Sequence, residues 1–542
     1  MKCNCTGWSW IVAAGIYFSA ASAAFAQTGV SYPGRQVAYE SLDYYAPGNG
    51  NAAPPAPSAQ PPVPAADAAP AHAPAQDSAA QDGAAQSDGT CDELEGGFFH
   101  RLFKAYVDDF NPPPPGPEPE RRALPPPFNS PPFPGGDYQG YPLVAVPDPS
   151  GDYPLMKALA GTCLGDCLKE DRIKLYGWAN ASANASTSKD SNSPDSYWLY
   201  ANQLELDQLC LRAERVENSV QQDDIDWGFR STLLYGIDYR YMTAGGWFSY
   251  QLLQHNQLYG VDPTEQYLDV YFPGVEQGLI IRTGRWIACP DIETQFAPDN
   301  YMGSHSILFT FDTYTQTGIM ATLMIDKQWT LQACIFAGTD MAPWYPGALP
   351  TGMFGVRWVS CDNNDSIYAV QNALNNAHFR YFYVDGQLEG HDNFNYFVET
   401  WQHRFTPGFF TKTEGYFMWQ YDGVVGGTPS FGPVMPFGGG GGFGAPLPGK
   451  SLTYGQVNYT EYQLSPKDFL SIRNEWWNDE RGERSGFAGI YTGNAIGITH
   501  NFSQDLQIRP EIDYYRNWDQ PAFDNGTKKN EFFVATDMTL RF

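Results

Sequence analysis

The feature that most constrains this chain is a two-residue alternation of apolar and polar side chains. In the last residues, 531–542, Val534 and Met538 lie on one face of an extended chain, whereas Asp537 and Arg541 lie on the other. A period of two places alternate side chains on opposite sides of a β-strand. The segment therefore predicts a strand with one apolar and one polar face, ending on an aromatic carboxy-terminal residue.

The same pattern recurs many times upstream, with turn-forming residues between the repeats. Sixteen segments show it, and an even number is typical of a single-chain bacterial barrel. The predicted strands are 173–183, 203–215, 226–236, 266–273, 279–288, 318–325, 329–338, 353–360, 365–372, 392–405, 408–421, 453–464, 468–477, 486–501, 505–518 and 531–542.

The links between these segments alternate in length in the second half of the chain. Links at 406–407, 465–467 and 502–504 are short, whereas those at 422–452 and 519–530 are long. Barrels of the outer membrane have short periplasmic turns and longer exterior loops. The pattern therefore favours an all-β, transmembrane antiparallel barrel of about sixteen strands, whose last strand ends on the periplasmic side.

Alternation alone does not say which face points inward, because a soluble barrel buries its apolar face and a membrane barrel exposes it. Aromatic residues at the strand ends, such as Trp401, Trp419 and Trp476, fit the girdles at membrane interfaces. A lumen enclosed by sixteen strands is also too wide to fill with apolar side chains. We therefore expect a membrane barrel, which has its apolar face outward and its charged face toward the lumen. A large secreted β-sandwich or propeller is the alternative.

This arrangement directs the charged face of each strand into the lumen. There the charges would set up a transverse field that tunes the passage of polar solutes, or would simply pair between neighbouring strands. The residues predicted to line the pore are Arg230, Arg282, Arg357, Glu399, Lys412, Glu414, Arg473, Glu475, Arg509, Glu511 and Asp513.

Composition argues against nucleic-acid binding and against membrane-spanning helices. The formal net charge of −28 argues against nucleic-acid binding, which needs an excess of lysine and arginine. After the amino terminus no apolar run approaches the roughly 18 residues that a membrane helix requires. A barrel is compatible with that absence, because its strands alternate.

The region before the barrel divides into two parts. Residues 1–26 have a short basic start, an apolar stretch and the cleavage pattern Ala24-Phe25-Ala26, as in a secretory signal peptide. Residues 27–155 form a Pro/Ala-rich low-complexity extension that we expect to be disordered. One short amphipathic helix is predicted near 92–110, docked on the barrel or a neighbour, or lying on a membrane surface. The barrel domain is predicted for 156–542.

Several motifs suggest a ligand or a reaction but have simpler explanations. The pattern from Gly444 to Ser451 matches a phosphate-binding loop, yet a strand pattern follows it and two prolines remove N–H donors. Asp362-Asn-Asn-Asp365 lacks the glycine and glutamate of a calcium-binding EF-hand, so a turn is favoured over surface calcium. Ser304-His305-Ser306 is too local for a catalytic pair. We expect no catalytic residue, no metal site and no cofactor.

Cysteines and one long link leave alternatives open. Seven cysteines follow the signal peptide, and Cys163 and Cys167 are close enough in sequence for a local disulfide, which is favoured over a metal site. Residues 289–317 interrupt the strand series. A long irregular segment is usually functional, so it either folds into the lumen and narrows it or forms an exterior loop.

Three stretches of sequence resemble the family of β-barrel porins described as OmpL-like outer-membrane proteins, over roughly residues 171–542. They are Leu175-Tyr-Gly-Trp178, Asp226-Trp-Gly-Phe-Arg230 with Tyr235-Gly236, and Leu279-Ile-Ile-Arg-Thr-Gly-Arg-Trp286 followed by Pro290-Asp-Ile-Glu293 and Asn300-Tyr-Met302.

The resemblance implies an outer-membrane barrel with a porin role and no established catalytic residue. Together with the predicted signal peptide and strands, it leads us to expect an exported porin that allows passive diffusion of small polar solutes or ions. A plugged structural or adhesion barrel is the alternative, and an outer-membrane enzyme is a more distant one. The expected partners are outer-membrane lipid and the barrel-assembly machinery, for which Phe542 would be the assembly signal. A trimer is expected by analogy with other sixteen-stranded pores.

Overall fold

A computed structural model describes residues 96–112, 120, 143–148, 151, 153–194, 197–288, 291–373, 377–384, 386–426 and 444–542. The predicted signal peptide and most of the Pro/Ala-rich extension lie outside these residues. None of the helices in the described ranges is long and apolar enough to cross a membrane.

Sixteen antiparallel strands form a closed barrel, which confirms the predicted fold class. The barrel strands are β1 (Lys174–Ser186), β2 (Leu204–Arg215), β3 (Asp226–Gly236), β4 (Gly260–Phe272), β5 (Leu279–Ile287), β6 (Thr315–Met324), β7 (Trp329–Phe336), β8 (Thr351–Val359), β9 (Asp365–Ala373), β12 (Asn395–Thr406), β13 (Phe409–Val424), β14 (Pro446–Ser465), β15 (Asp468–Asp479), β16 (Gly489–Asn501), β17 (Leu506–Asn517) and β18 (Asn530–Arg541). A separate hairpin of β10 (Arg380–Val384) and β11 (Gln387–His391) lies between β9 and β12.

Each barrel strand pairs with its neighbours along the chain, and β1 pairs with β18 to close the ring. In that closing pair Trp178 lies opposite Arg541 and Ser186 opposite Phe533. Phe542 extends the seam by one residue, because its N–H donates to the Gly177 carbonyl (2.9 Å) and the Gly177 N–H donates back (3.0 Å). The last residue of the chain is thus part of the closure.

The outer face of the barrel is largely apolar, whereas the inner face carries most of the charged side chains together with a large cluster of buried aromatic and apolar side chains. On β18 the outward side chains of Val534 and Met538 are 46% and 50% exposed, whereas Asp537 and Arg541 are buried. Phe533, which breaks the apolar–polar alternation, points inward and packs edge-to-face against Trp198. The predicted orientation of the two faces therefore holds along this strand.

The two ends of the barrel differ in the length of their connections. Short turns at 325–328, 407–408 and 466–467 lie at one end, and long loops such as 187–203 and 237–259 lie at the other. Since short turns face the periplasm in such barrels, we assign the short-turn end to the periplasmic side.

Two strands begin six or more residues earlier than the alternation predicts, and one hairpin was missed. β4 starts at Gly260 and β14 at Pro446, since Gly and Pro residues obscure the pattern there. The β10–β11 hairpin has consecutive aromatic residues, Tyr381 to Tyr383, and so lacks a clear alternation.

The part of β14 that matches a phosphate-binding loop pairs with β13, with Pro446 opposite Val424. No helix follows the motif, which removes the geometry that phosphate binding requires.

Three helices precede β1: α1 (Phe98–Asp109), α2 (Pro154–Leu159) and α3 (Cys163–Glu170). Helix α1 lies within the span 92–110 where a helix was predicted. It contacts the short-turn end of the barrel, where Tyr106 donates a hydrogen bond to the Arg541 carbonyl (2.9 Å). Its opposite face carries Phe99 and Phe103, which are 81% and 70% exposed.

Among the described cysteines, Cys163 and Cys167 are disulfide-bonded, whereas Cys210, Cys334 and Cys361 form no disulfide.

Candidate channel interior

The chain between β5 and β6 crosses the inside of the barrel, and we call its described residues, 291–314, the inner segment. Near its start the Ile292 N–H donates to the Glu414 carboxylate of β13 (2.9 Å). At its middle the Ser304 N–H donates to Glu511 of β17 (2.7 Å). Strands β13 and β17 lie far from β5 and β6 around the ring. The segment therefore folds into the lumen, and the alternative of an exterior loop is wrong.

Arginines of the wall and of one exterior loop bind main-chain carbonyls of the inner segment. Arg509 of β17 donates to the carbonyls of Ala297 (2.7 Å) and Asn300 (2.8 Å). Arg473 of β15 donates to the Ser304 carbonyl (3.0 Å). Guanidinium groups are well suited to this role because each offers several donors in a fixed plane.

Two further arginines extend this set. Arg541 of β18 pairs with Asp299 (3.0 Å). Arg484, on the 480–488 loop, donates to the Phe311 carbonyl (2.9 Å) and pairs with Asp392 (2.6 Å). The inner segment is thus held by side chains from several sides of the lumen.

Local hydrogen bonds shape the inner segment into two short turns. Two short helices, α4 (Tyr239–Met242) and α5 (Tyr250–Leu253), lie in the β3–β4 loop. Within the inner segment, a 3-10 helix covers Ala297–Asp299 and helix α6 covers Ile307–Thr310. The Ser306 hydroxyl caps α6 by accepting from the Phe309 N–H (3.1 Å), as side-chain oxygens do at helix starts. These turns keep the segment compact enough to fit inside the barrel.

Aromatic residues from two exterior loops pack on the inner segment. The Tyr197 ring stacks on Tyr241 with 4.2 Å between centroids and contacts the His305 ring at 3.8 Å. Burial lowers the pKa of His305 well below the ordinary imidazole range, and Arg473 adds to the effect. A neutral, packed imidazole explains the motif Ser304-His305-Ser306 as structural.

The predicted pore-lining residues lie on the inner face with one exception. All of the following are buried inside the barrel: Arg230, Arg282, Arg357, Lys412, Glu414, Arg473, Glu475, Arg509, Glu511 and Asp513. The prediction for Glu399 is wrong, because it is exposed on the outer face of β12, the same face that carries Phe397 and Trp401.

Many inward charges pair across neighbouring strands. Arg230 on β3 pairs with Glu214 on β2 (2.6 Å), and Arg282 on β5 pairs with Asp269 on β4 (2.7 Å). Arg473 of β15 reaches past β16 to pair with Asp513 of β17 (3.3 Å). Burial of these ions is tolerable only because each has a partner.

Some important interior residues were not singled out from the sequence. Arg212 and Glu214 are two residues apart on β2 and both point inward, so the two-residue period could have identified them. Arg484 carried no such signal because it lies on a loop, where side-chain direction does not follow a fixed period.

Three buried carboxylates meet where the two ends of the inner segment approach β13. Asp291, Asp312 and Glu414 each offer an oxygen atom, and these atoms lie within 4.8 Å of one another. Burial, together with the neighbouring Asp312 carboxyl, raises the pKa of Asp291 well above that of an ordinary aspartate. This cluster was not predictable from the sequence, since its members lie on two distant parts of the chain.

Residues 172–542 match the sequence profile of the family described as "Putative beta-barrel porin-2, OmpL-like". The chain belongs to this family. It is therefore a porin, a β-barrel channel of the bacterial outer membrane. A comparison with curated proteins finds no match.

Three solved structures illustrate what the chain is similar to. The outer membrane channel DcaP of Acinetobacter baumannii is 10% identical over 68% of this chain and 97% of its own, with a TM-score of 0.39. An anion-selective porin from Comamonas acidovorans is 9% identical over 68% and 99%, with a TM-score of 0.40. OprB of Pseudomonas putida is 11% identical over 70% and 96%, with a TM-score of 0.44.

Proposed function

We propose that this porin allows passive diffusion of small polar solutes or ions, and that the inner segment sets the size of the passage. The supporting observation is that residues 291–314 cross the lumen and are bound to its wall through Arg473, Arg509 and Arg541. A segment attached on several sides narrows the lumen at a fixed position, which limits passage to small solutes.

The buried charges of the inner face have two roles in this proposal. They hold the inner segment in place, as Arg473 and Arg509 do, and they create the field that a polar solute meets. The proposed lining consists of the inward residues named above, without Glu399.

The decisive experiment is single-channel recording in planar bilayers with the intact chain and with a chain lacking 291–306. We expect ohmic steps from the intact protein and larger steps after the deletion, because the deletion removes most of the inner segment. An equally long deletion from another link, 427–442, is the control and should leave the conductance unchanged. Equal conductance from the intact and 291–306-deleted chains would refute the constriction.

A plugged structural or adhesion barrel is the second candidate. It is favoured by the burial of charged side chains inside the lumen, where Arg473 and Asp513 are both 0% exposed. The same recordings separate the two functions. A folded, heat-modifiable intact protein without conductance supports the plugged barrel, and steps that arise only after deletion of 291–306 identify the inner segment as the plug.

We also propose export by the signal peptide of residues 1–26, insertion by the barrel-assembly machinery and assembly into trimers in outer-membrane lipid. Amino-terminal sequencing of the mature protein should begin at Gln27. Native mass spectrometry of the purified protein should show three chains per particle.

A further inference from the structure

The three-carboxylate cluster joins the inner segment to the barrel wall. Asp291 and Asp312 lie near the two ends of the inner segment, and Glu414 lies on β13 across the lumen. The three residues are 3%, 1% and 2% exposed, respectively. Three acidic groups so close together, away from water, repel one another unless something neutralises them.

Basic side chains do not provide that neutralisation in the described part of the chain. No lysine, arginine or histidine there forms an ion pair with these three carboxylates. Arg484 comes near, donating to the main-chain carbonyl of Asp312 at 3.5 Å, but its charge is paired with Asp392.

Hydrogen bonds orient the cluster while leaving oxygen atoms available. The Ile292 N–H donates to Glu414 Oε2 (2.9 Å), and the Tyr396 hydroxyl donates to Asp312 Oδ2 (3.3 Å). Asp291 Oδ1 and Asp312 Oδ1 are buried and accept no hydrogen bond from the described residues. Carboxylates that are oriented by such partners but retain unpartnered oxygens are typical of a cation site.

We propose that Asp291, Asp312 and Glu414 bind one calcium ion. An all-oxygen, all-carboxylate set selects a hard divalent cation. Calcium fits better than magnesium because magnesium gives up its water molecules reluctantly and demands near-ideal octahedral geometry. The bound ion ties both ends of the inner segment to β13. This inference concerns ion binding and holds whether the barrel conducts or is plugged.

The test is calcium binding to the full-length folded protein in detergent. The protein is first dialysed against a chelator and then titrated with calcium chloride by calorimetry, and bound metal is counted by mass spectrometry after desalting. We expect one ion per chain in excess of the amount bound by the double variant Asp291→Asn with Asp312→Asn. That variant measures the weak background binding of calcium to the other acidic residues of the protein.

Single variants localise the site. Asp291→Asn and Asp312→Asn should each weaken calcium binding by at least about tenfold, since even the loss of a supporting group costs 10- to 100-fold. Asp326→Asn, in the turn between β6 and β7, is the control; it changes an aspartate outside the inner segment and should leave calcium binding unchanged.

The intact protein decides the question even if a variant fails to fold. If the intact, heat-modifiable protein binds no calcium above background in millimolar calcium chloride, the proposal is overturned. Protons shared between the carboxyls would then neutralise the cluster instead. Normal calcium binding by folded Asp291→Asn and Asp312→Asn overturns it as well.

Discussion

At the scale of single residues, buried arginines decide how the lumen is filled. The Arg473 side chain is fully buried, donates to the Ser304 carbonyl (3.0 Å) and pairs with Asp513 (3.3 Å). It therefore stabilises the barrel and restrains the inner segment at the same time. Loss of the side chain should affect both.

We expect Arg473→Gln to raise single-channel conductance, because the inner segment loses its attachment at Ser304. The variant should also lower the free energy of unfolding by about 3–5 kcal/mol, the usual cost of leaving a buried charge without its partner. Arg215→Gln is the control, since it breaks a pair with Asp226 that does not touch the inner segment. A normal conductance for folded Arg473→Gln would contradict the restraint.

Glu399 offers a second test because it lies on the lipid-facing side of β12. We expect Glu399→Leu to raise the free energy of unfolding in lipid vesicles by about 1 kcal/mol, since charges on that face are unfavourable. Glu475→Leu is the contrasting change on the inner face; it removes the acceptor of the Ile307 N–H (2.7 Å) and should destabilise the protein. Altered ion selectivity of Glu399→Leu would show that Glu399 does reach the lumen.

The error at Glu399 shows what predicts orientation. Phe397, Glu399 and Trp401 are two residues apart, so the period places all three on one face, and the exposed aromatic residues identify that face as the outer one. Assigning Glu399 inward gave its charge more weight than its position. The inward residues were predictable where charge and position agree, as for Lys412 and Glu414.

At the scale of elements, the docking of α1 depends on acidic groups at the short-turn end. Asp109 at the end of α1 lies beside Asp505 in the turn before β17 and forms an ion pair with Lys157 of α2. Burial and the Asp109 carboxyl raise the pKa of Asp505 to about 8. The docked helix therefore keeps a proton on Asp505 at neutral pH.

Docking of α1 should weaken as the pH rises. An undocked Asp505 titrates near the ordinary value of about 3.9, so between pH 4 and 8 the docked state binds more protons than the undocked one. By linkage, docking is then favoured at the acidic end of this window and lost progressively toward pH 8. Hydrogen-exchange protection factors for α1 at pH 6 and pH 9 measure this change.

Asp505→Asn is the control for that experiment, because the amide does not titrate. Protection of α1 in this variant should be nearly independent of pH. An equal loss of protection in Asp505→Asn and in the original protein would assign the effect to another group.

The strands were predictable because each carries its own signal, whereas the path of the inner segment was not. The alternation in 505–518, for instance, is complete within one strand. The position of Ser304 depends on Arg473 and Glu511, which lie far along the chain and contact it only after the barrel closes. Sequence alone therefore left an exterior loop as an equal alternative.

At the scale of the whole molecule, closure of the ring depends on the pairing of the first strand with the last. Phe542 exchanges two main-chain hydrogen bonds with Gly177 across this seam. A side chain at position 177 would collide with the Phe542 ring, which lies 2.6 Å from the place of an added Cβ. The terminal residue is therefore both a candidate assembly signal and part of the seam.

Three variants separate these roles of Phe542. Phe542→Ala keeps the main-chain bonds but loses the aromatic ring, so we expect reduced outer-membrane assembly with normal secretion. Phe542→Tyr keeps a ring and should assemble normally, and deletion of Phe542 should be the most severe. Immunoblots of fractionated membranes and periplasm measure the outcome. Normal assembly of Phe542→Ala would refute the role of the ring.

The inner segment also has a mechanical consequence. Its ends join the adjacent strands β5 and β6, and its middle is bound to β15 and β17 across the ring. A wide barrel with an empty interior can flatten under the lateral pressure of a bilayer, whereas a crossing strut resists that deformation. In the proposed function, the residues that restrict passage also brace the barrel wall, so we expect a change that widens the passage to make the barrel easier to flatten.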